Sequence, residues 1–347
     1  MSKSAILDGP MQISMFSVID HHPSLPRGTK QFYNEILDQC ELADTLGYNT
    51  FFVAEHHFHE YGAFPNPAVA LAAAATRTKR IKLGTAVVVL PFRNPIQVAE
   101  DYAMVDLLSD GRLVMGIGSG YLSHEFEGFG IDPQVKRESF DEAIDVIRRL
   151  WSGDKISYDG KFTKIDNAAI NVVPVQQPAP PIYVAALRAE TVYYVGKNGD
   201  HMMIVPYATV DEIEGMGPLV ESYQKGFAES GKSGQGEVVG AFHAYVAETD
   251  DQARAEAADA FDLYVETRQY AKSQVYDECV ASKVCVFGSV ETAVERLVQM
   301  YDLGLTHIAL LTNFGGLAND LVCKSMRLMA NEVAPEVNAR LRARAAA

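Results

Sequence analysis

Eight short apolar runs, each followed by a stretch of helical periodicity, set what this chain can fold into. The runs at 11–19 (MQISMFSVI), 49–54 (NTFFVA) and 81–90 (IKLGTAVVVL) read as buried strands, rich in β-branched and aromatic residues. Further strands fit at 112–117, 181–186, 201–205, 238–246 and 306–311. Between them lie helices. At 31–46, Phe32, Ile36, Leu37, Cys40, Ala43 and Leu46 recur at helical spacing, and Gly47 ends the run. At 137–151, Phe140, Ala143, Ile144, Ile147, Leu150 and Trp151 share one face. Helical patterns also begin at Pro67 and cover 95–108, 190–198, 209–230, 250–272, 290–303 and 318–343. Strands alternating with helices imply parallel βαβ units, and eight of them favour a closed α/β barrel of the (β/α)8 TIM type over an open sheet. The expected organisation is one barrel domain over 1–347. It carries an insertion at about 155–180, a short hairpin plus the connector QQPAPP, and a mobile lid at about 272–287, where no clean period is visible.

Composition matters here for what it excludes. With 30 Lys and Arg against 45 Asp and Glu, the net charge is −15, and no basic run offers the cationic stripe that nucleic-acid binding needs. The four cysteines, Cys40, Cys279, Cys285 and Cys323, fit no zinc spacing and are too few for a disulfide scaffold. The opening MSKSAILDGP lacks a signal-peptide core, and the longest apolar stretch, Pro67 to Ala75, is too short to span a bilayer. The expectation is a cytoplasmic protein with no membrane or nucleic-acid partner and no metal.

In a barrel of this type the chemistry gathers at the C-terminal ends of the strands. The second strand runs into Glu55-His56-His57-Phe58-His59-Glu60-Tyr61-Gly62. Three readings stand for these histidines: metal ligands, a hydrogen-bonded polar strand end, or a general acid/base, for which an imidazole pKa near ~6.5 is suited. A metal would need further ligands at other strand ends, but His201 opens its strand and His307 lies early in its own. The third strand, around Gly84-Thr85-Ala86-Val87, has small residues that either admit a flat ring or serve ordinary close packing. After the fourth, Gly116-Ile117-Gly118-Ser119-Gly120-Tyr121 brings backbone close to a ligand. After the fifth, Ala185-Ala186-Leu187-Arg188-Ala189-Glu190-Thr191 enters a helix. Its N-terminus and Arg188 would seat a phosphate, with Glu190 opposing.

Taken in order, these segments resemble the bacterial luciferase-like family of flavin-dependent monooxygenases. The likeness rests on Glu55-His56-His57-Phe58 with Glu60 and Gly62, Asn66-Pro67, Gly84-Thr85-Ala86, Leu90-Pro91 and Ala99-Glu100-Asp101. It continues through Asp110-Gly111-Arg112, Gly116-Ile117 and Pro181-Ile182-Tyr183-Val184-Ala185 to Ser325-Met326-Arg327-Leu328 and Glu332-Val333-Ala334-Pro335. The resemblance implies FMN at the barrel mouth, with His56 as the acid/base residue beside it. It also implies a non-proline cis peptide joining Ala86 and Val87, and a phosphate seat at Ala186, Leu187, Arg188, Glu190 and Thr191 with Gly118, Ser119 and Tyr121 opposite. This chain departs from luciferase in carrying Gly118 where a cysteine stands and Ser119 where an arginine stands. Light emission is therefore not implied, and Arg188 is the candidate to restore the missing charge.

The implied reaction uses reduced FMN and O2 to oxygenate a small organic substrate through a flavin hydroperoxide. NAD(P)H would serve directly or through a separate flavin reductase. A deazaflavin-dependent dehydrogenase on the same barrel and a non-catalytic flavin-binding protein are the alternatives. Phe16, Phe58, Phe64, Phe92 and Tyr121 lie near strand ends, where they either give a partly aromatic pocket or pack under loops. The resemblance further implies a homodimer, for which Ala68 to Ala75 offers a small-residue helix surface, though burial within one chain explains those alanines equally well.

Overall fold

The computed structural model describes residues 9–59, 62–268 and 273–345. Twelve strands are present among them: β1 (Gln12–Ser17), β2 (Thr50–Val53), β3 (Lys82–Thr85), β4 (Val88–Val89), β5 (Leu113–Gly118), β6 (Ile156–Asp159), β7 (Lys164–Ala168), β8 (Ile182–Ala186), β9 (His201–Ile204), β10 (Val238–Ala247), β11 (Val286–Ser289) and β12 (His307–Leu311). Eight of them pair in parallel in the cyclic order β1, β2, β3, β5, β8, β9, β10, β12 and back to β1. This is a closed TIM-type barrel, and all eight strands read from the sequence take part in it. β6 and β7 form the antiparallel hairpin of the insertion.

The helices are α1 (Thr29–Leu46), α2 (Pro67–Arg77), α3 (Pro95–Leu108), α4 (Ser123–Phe129), α5 (Lys136–Leu150), α6 (Ala189–Lys197), α7 (Pro206–Thr209), α8 (Met216–Glu229), α9 (Asp250–Thr267), α10 (Tyr276–Ser282), α11 (Val290–Asp302), α12 (Asn319–Leu328) and α13 (Ala334–Ala345). Local chemistry sets their ends. α2 and α3 each start on an Asn-Pro pair, with Asn66 accepting from Ala68 N and Asn94 from Ile96 N, while proline fits the first helical position. α1 stops at Gly47, whose φ of 86° lets its N–H return to Ala43 O. Trp151 Nε1 donates to Ala99 O at 3.0 Å and ties the end of α5 to α3.

Side-chain alternation decides what enters the barrel. Phe16, Phe52, Gly84, Ala185, Met203, Ala241 and Leu311 face inward in register. Small residues cluster on one side. A Cβ on Gly116 would lie 2.0 Å from Thr85 O, so only glycine lets β3 and β5 approach this closely. Between β3 and β4 the Ala86–Val87 peptide is cis.

Two segments carry other secondary structure than their sequence suggests. The segment read as an aperiodic lid, 272–287, holds α10 and the start of β11 over its described residues; Lys272 lies outside them. Tyr276, Cys279, Cys285 and Phe287 are buried there, and the rings of Tyr276 and Phe287 stack 4.6 Å apart. A seven-residue helix and a four-residue strand are too short to show a period. β11 pairs with the second half of the ten-residue β10, beyond the barrel. The tail read as one helix, 318–343, is α12 and α13 joined by a π-helical turn over Met329–Val333. No helix among the described residues is long and apolar enough to cross a membrane.

Candidate active site at the barrel mouth

β2 leads straight into the histidine cluster, so its side chains emerge at the C-terminal end of the barrel. His56 is 8% exposed and lines a cavity of about 420 Å³. Its Nδ1 lies 3.1 Å from Oε1 of Glu125, on α4. A carboxylate only accepts, so Nδ1 carries the proton and Nε2 is the basic nitrogen. The same Glu125 oxygen accepts His57 N–H at 2.9 Å. Burial lowers the His56 pKa, and the bond to Glu125 offsets this only in part. Burial alone would raise Glu125, but the hydrogen bonds from His56 and from His57 N–H outweigh it and leave the carboxyl below its ordinary value. The pair is therefore a neutral imidazole held by a carboxylate. Gly62 completes the motif for a steric reason: with φ of 89°, it passes over His56, where a Cβ would meet the His56 Cβ at 2.2 Å. Glu60, between them in sequence, lies outside the described residues.

The other histidines of the motif do different work. His57 Nε2 donates to Glu55 at 2.9 Å, and Arg93 Nε donates to the same carboxylate at 2.9 Å. Glu55 is 2% exposed, and these partners compensate a buried charge. The network pins the end of β2 to β4 and to the chain after it, because Glu55 accepts Val89 N–H at 3.3 Å as well as the Arg93 guanidinium.

Ala86, Val87, Gly118, Ser119, Tyr121, Leu187, Arg188 and Thr191 all line the same cavity as His56. A Cβ on Gly118 would come 2.7 Å from Val87 Cγ2, so this wall is flat because glycine stands there. Ala186 and Glu190 do not line it. Ala186 falls on the outward pleat of β8 and is buried against the helices. Glu190 points into solvent from the first turn of α6. The five rings divide between the pocket and loop packing. Phe16 and Tyr121 line it, whereas Phe58 and Phe92 pack on Phe129 outside, at 5.1 and 4.9 Å, and Phe64 is buried against Tyr33.

Two residues of the site went unread. Glu125 sits on α4, a seven-residue helix after the glycine turn, too short to register. Lys136, the first residue of α5, has nothing in sequence that distinguishes it from a solvated helix end. Its Nζ donates to Gly120 O at 3.1 Å, and it lines the cavity with Arg188. Burial, then the Arg188 charge, lower the Lys136 pKa. Among the described residues neither cation has a carboxylate partner within ion-pair distance. Two facing cations at the N-terminus of α6, beside a backbone opened by Gly118 and Gly120, suit a phosphate attached to a flat ring.

Residues 11–307 match the family described as luciferase-like monooxygenases. The oxygenase component of flavin-dependent trigonelline monooxygenase from Acinetobacter baylyi is 36% identical over 185 residues, covering 53% of this chain and 51% of that protein. F420-dependent glucose-6-phosphate dehydrogenase from Amycolatopsis mediterranei is 33% identical over 173 residues, covering 48% and 51%. The alignments thus span about half the length of these curated relatives. The crystal structure of the monooxygenase RslO1 from Streptomyces bottropensis superimposes with a TM-score of 0.86 at 28% identity, covering 94% of this chain and 99% of that one. The relatives include both flavin-dependent and F420-dependent oxidoreductases, and this chain belongs to the luciferase-like monooxygenase family.

Proposed function

We propose that this chain is the oxygenating component of a flavin-dependent monooxygenase that binds reduced FMN in the barrel mouth and passes one atom of O2 to a small organic substrate. The observation that carries the reading is the His56–Glu125 pair opening on a cavity that Lys136 and Arg188 also line. Bound reduced FMN would supply the electrons that activate oxygen. The chain does the rest. Lys136, Arg188 and the N-terminus of α6 hold the phosphate, and Gly118 with Ala86 and Val87 forms the flat wall for the ring. Phe16, Val18, Ala241 and Leu311 keep water from the opposite side. His56 Nε2 moves a proton at the reacting centre, and Glu125 holds the imidazole in that tautomer. The trigonelline relative is named as an oxygenase component, which supports a separate reductase consuming NAD(P)H.

Comparing FMN with riboflavin tests the phosphate assignment. FMN should bind about 10–100-fold tighter, as charge-assisted hydrogen bonds imply; equal affinities would overturn it. A hydride-transferring deazaflavin enzyme is the second reading. It is favoured by a hollow of about 360 Å³ that shares Arg137 and Thr191 with the main cavity and would take a longer tail. Assembly as a homodimer is part of the same proposal, since α2 and α3 expose Val69, Met104, Leu107 and Leu108 on one side of the barrel.

A further inference from the structure

We propose that His57 is a positioning residue: it holds Glu125 against His56 and so fixes which nitrogen of that imidazole is bare. Its part in turnover rests on the oxygenase reading; the positioning itself does not. His57 sits where the chain leaves the end of β2. Both polar groups of its backbone meet consecutive side chains of α4. Its N–H donates to Glu125 Oε1 at 2.9 Å, and its carbonyl accepts from His124 Nε2 at 3.2 Å. Its ring holds Glu55 instead, with Nε2 donating to Oε1 at 2.9 Å, and meets the Phe129 ring of α4 edge to face at 4.7 Å. The next residue, Phe58, has φ of 58°, a left-handed conformation that a side chain of this size keeps only where its surroundings hold it.

α4 is seven residues long. Two turns do not make a stable helix by themselves, so contacts from outside decide where Glu125 stands. Phe126 supplies one, packing on Phe92 at 4.8 Å. His57 supplies the one that touches the carboxylate. Oε1 of Glu125 takes two donors, the His57 N–H and His56 Nδ1. Burial raises the Glu125 pKa, and both bonds bring it down. Glu55 is the fixed end of this chain of bonds. Arg93 Nε donates to its two oxygens at 2.9 and 3.1 Å, and Val89 N–H donates to one of them. Charge-assisted hydrogen bonds thus run from Glu55 through His57 to Glu125 and His56.

A histidine that only compensated the Glu55 charge would affect stability and nothing else, since Arg93 and the Val89 N–H remain on that carboxylate when the ring is gone. A positioning residue also affects the His56 tautomer, because a carboxylate that drifts no longer keeps the proton on Nδ1. Glu125, Glu55 and Arg268 are the charges that act on His56. Of these, Glu125 is the one that the His57 backbone holds.

The test reads the ring nitrogens of 15N-histidine-labelled protein at neutral pH, without flavin. In the wild type the Nδ1–H form of His56 should prevail by more than about tenfold, as a charge-assisted hydrogen bond implies. His57→Phe keeps a ring against Phe129 and loses the bond to Glu55. It should lower that ratio at least about fivefold and turnover about tenfold, with FMN affinity unchanged. His57→Gln returns a donor to Glu55 and should recover both. If His57→Phe does not fold, His57→Asn, too short to span to Glu55, takes its place. A tautomer ratio unchanged in the folded variant, no Nδ1–H preference in the wild type, or a loss in His57→Gln equal to that in His57→Phe would overturn the positioning role. The oxygen reaction of reduced FMN is followed separately. A His57-dependent tautomer without oxygen reactivity would sink the oxygenase reading and keep the positioning, and oxygen reactivity with a tautomer indifferent to His57 would do the opposite.

Discussion

The barrel carries a histidine–carboxylate pair at each end, and the two ends share their chemistry but not their surroundings. At the C-terminal mouth His56 is held by Glu125 beside a cavity of about 420 Å³. At the N-terminal end His307 Nδ1 donates to Glu237, and His307 Nε2 lies 2.6 Å from Ser14 Oγ. Tyr183 donates to the same Glu237 at 2.6 Å, and Ser14 Oγ accepts Thr50 N–H at 3.1 Å. Ser14, His307 and Glu237 have the connectivity of a nucleophile, a base and an orienting acid. Yet Ser14 is 0% and His307 2% exposed, and neither lines the main cavity. Connectivity alone is therefore not a site. The lower network ties β1, β2, β8 and β12 together, whereas the upper pair opens onto space for ligands.

Variants at the two ends should separate activity from stability. The largest effect is expected from His56→Ala, which should lower oxygenated product by about 10²–10⁴-fold, the usual contribution of acid/base catalysis, with the urea midpoint nearly unchanged. Next, Lys136→Ala with Arg188→Ala should weaken FMN binding by about 10–100-fold and reduce its salt dependence, read by fluorescence titration. Glu125→Gln should cost about tenfold in turnover and shift the acidic limb of the pH–rate profile downward. The sign follows from the pair: Glu125 raises the His56 pKa against burial, so its loss lets the imidazole stay neutral to lower pH.

At the lower end Ser14→Ala should destabilise folding by about 1–3 kcal/mol, because it leaves the His307 nitrogen unpaired, while turnover of the folded fraction stays unchanged. Burial opposes ionisation of Glu237, but the bonds from His307 and Tyr183 prevail and bring its pKa from 4.5 to about 2. A depressed carboxyl contributes stability above its unfolded value and loses it as pH falls toward its folded value. Stability should therefore decline from pH 4.5 to about 2, and Glu237→Gln should flatten that slope. A turnover loss in Ser14→Ala, or a stability loss in His56→Ala, would break the division between the ends.

The difference between the ends also marks what the sequence could reveal. The strands were legible because apolar runs and helical periods repeat eight times. His56 was legible because the motif follows one strand, and Arg188 because it precedes one helix. Glu125 and Lys136 were not, since a seven-residue helix has too few turns to show a period and a first-turn lysine resembles any solvated helix end. Ala186 was carried over with the phosphate turn, but it is the last residue of β8 and lies on the pleat that faces away from the cavity. The Ser14–His307–Glu237 network joins β1, β12 and the residue before β10, which only closure of the barrel brings together.

The central claim is that the upper pair serves oxygen chemistry on reduced FMN. Anaerobic protein should be titrated with reduced FMN and with reduced deazaflavin, then mixed with air. Tight binding of reduced FMN, with an oxygen-dependent absorbance change that precedes oxidised flavin and is altered in His56→Ala, is the predicted result. Preference for the deazaflavin, with no change on mixing with air, would contradict it.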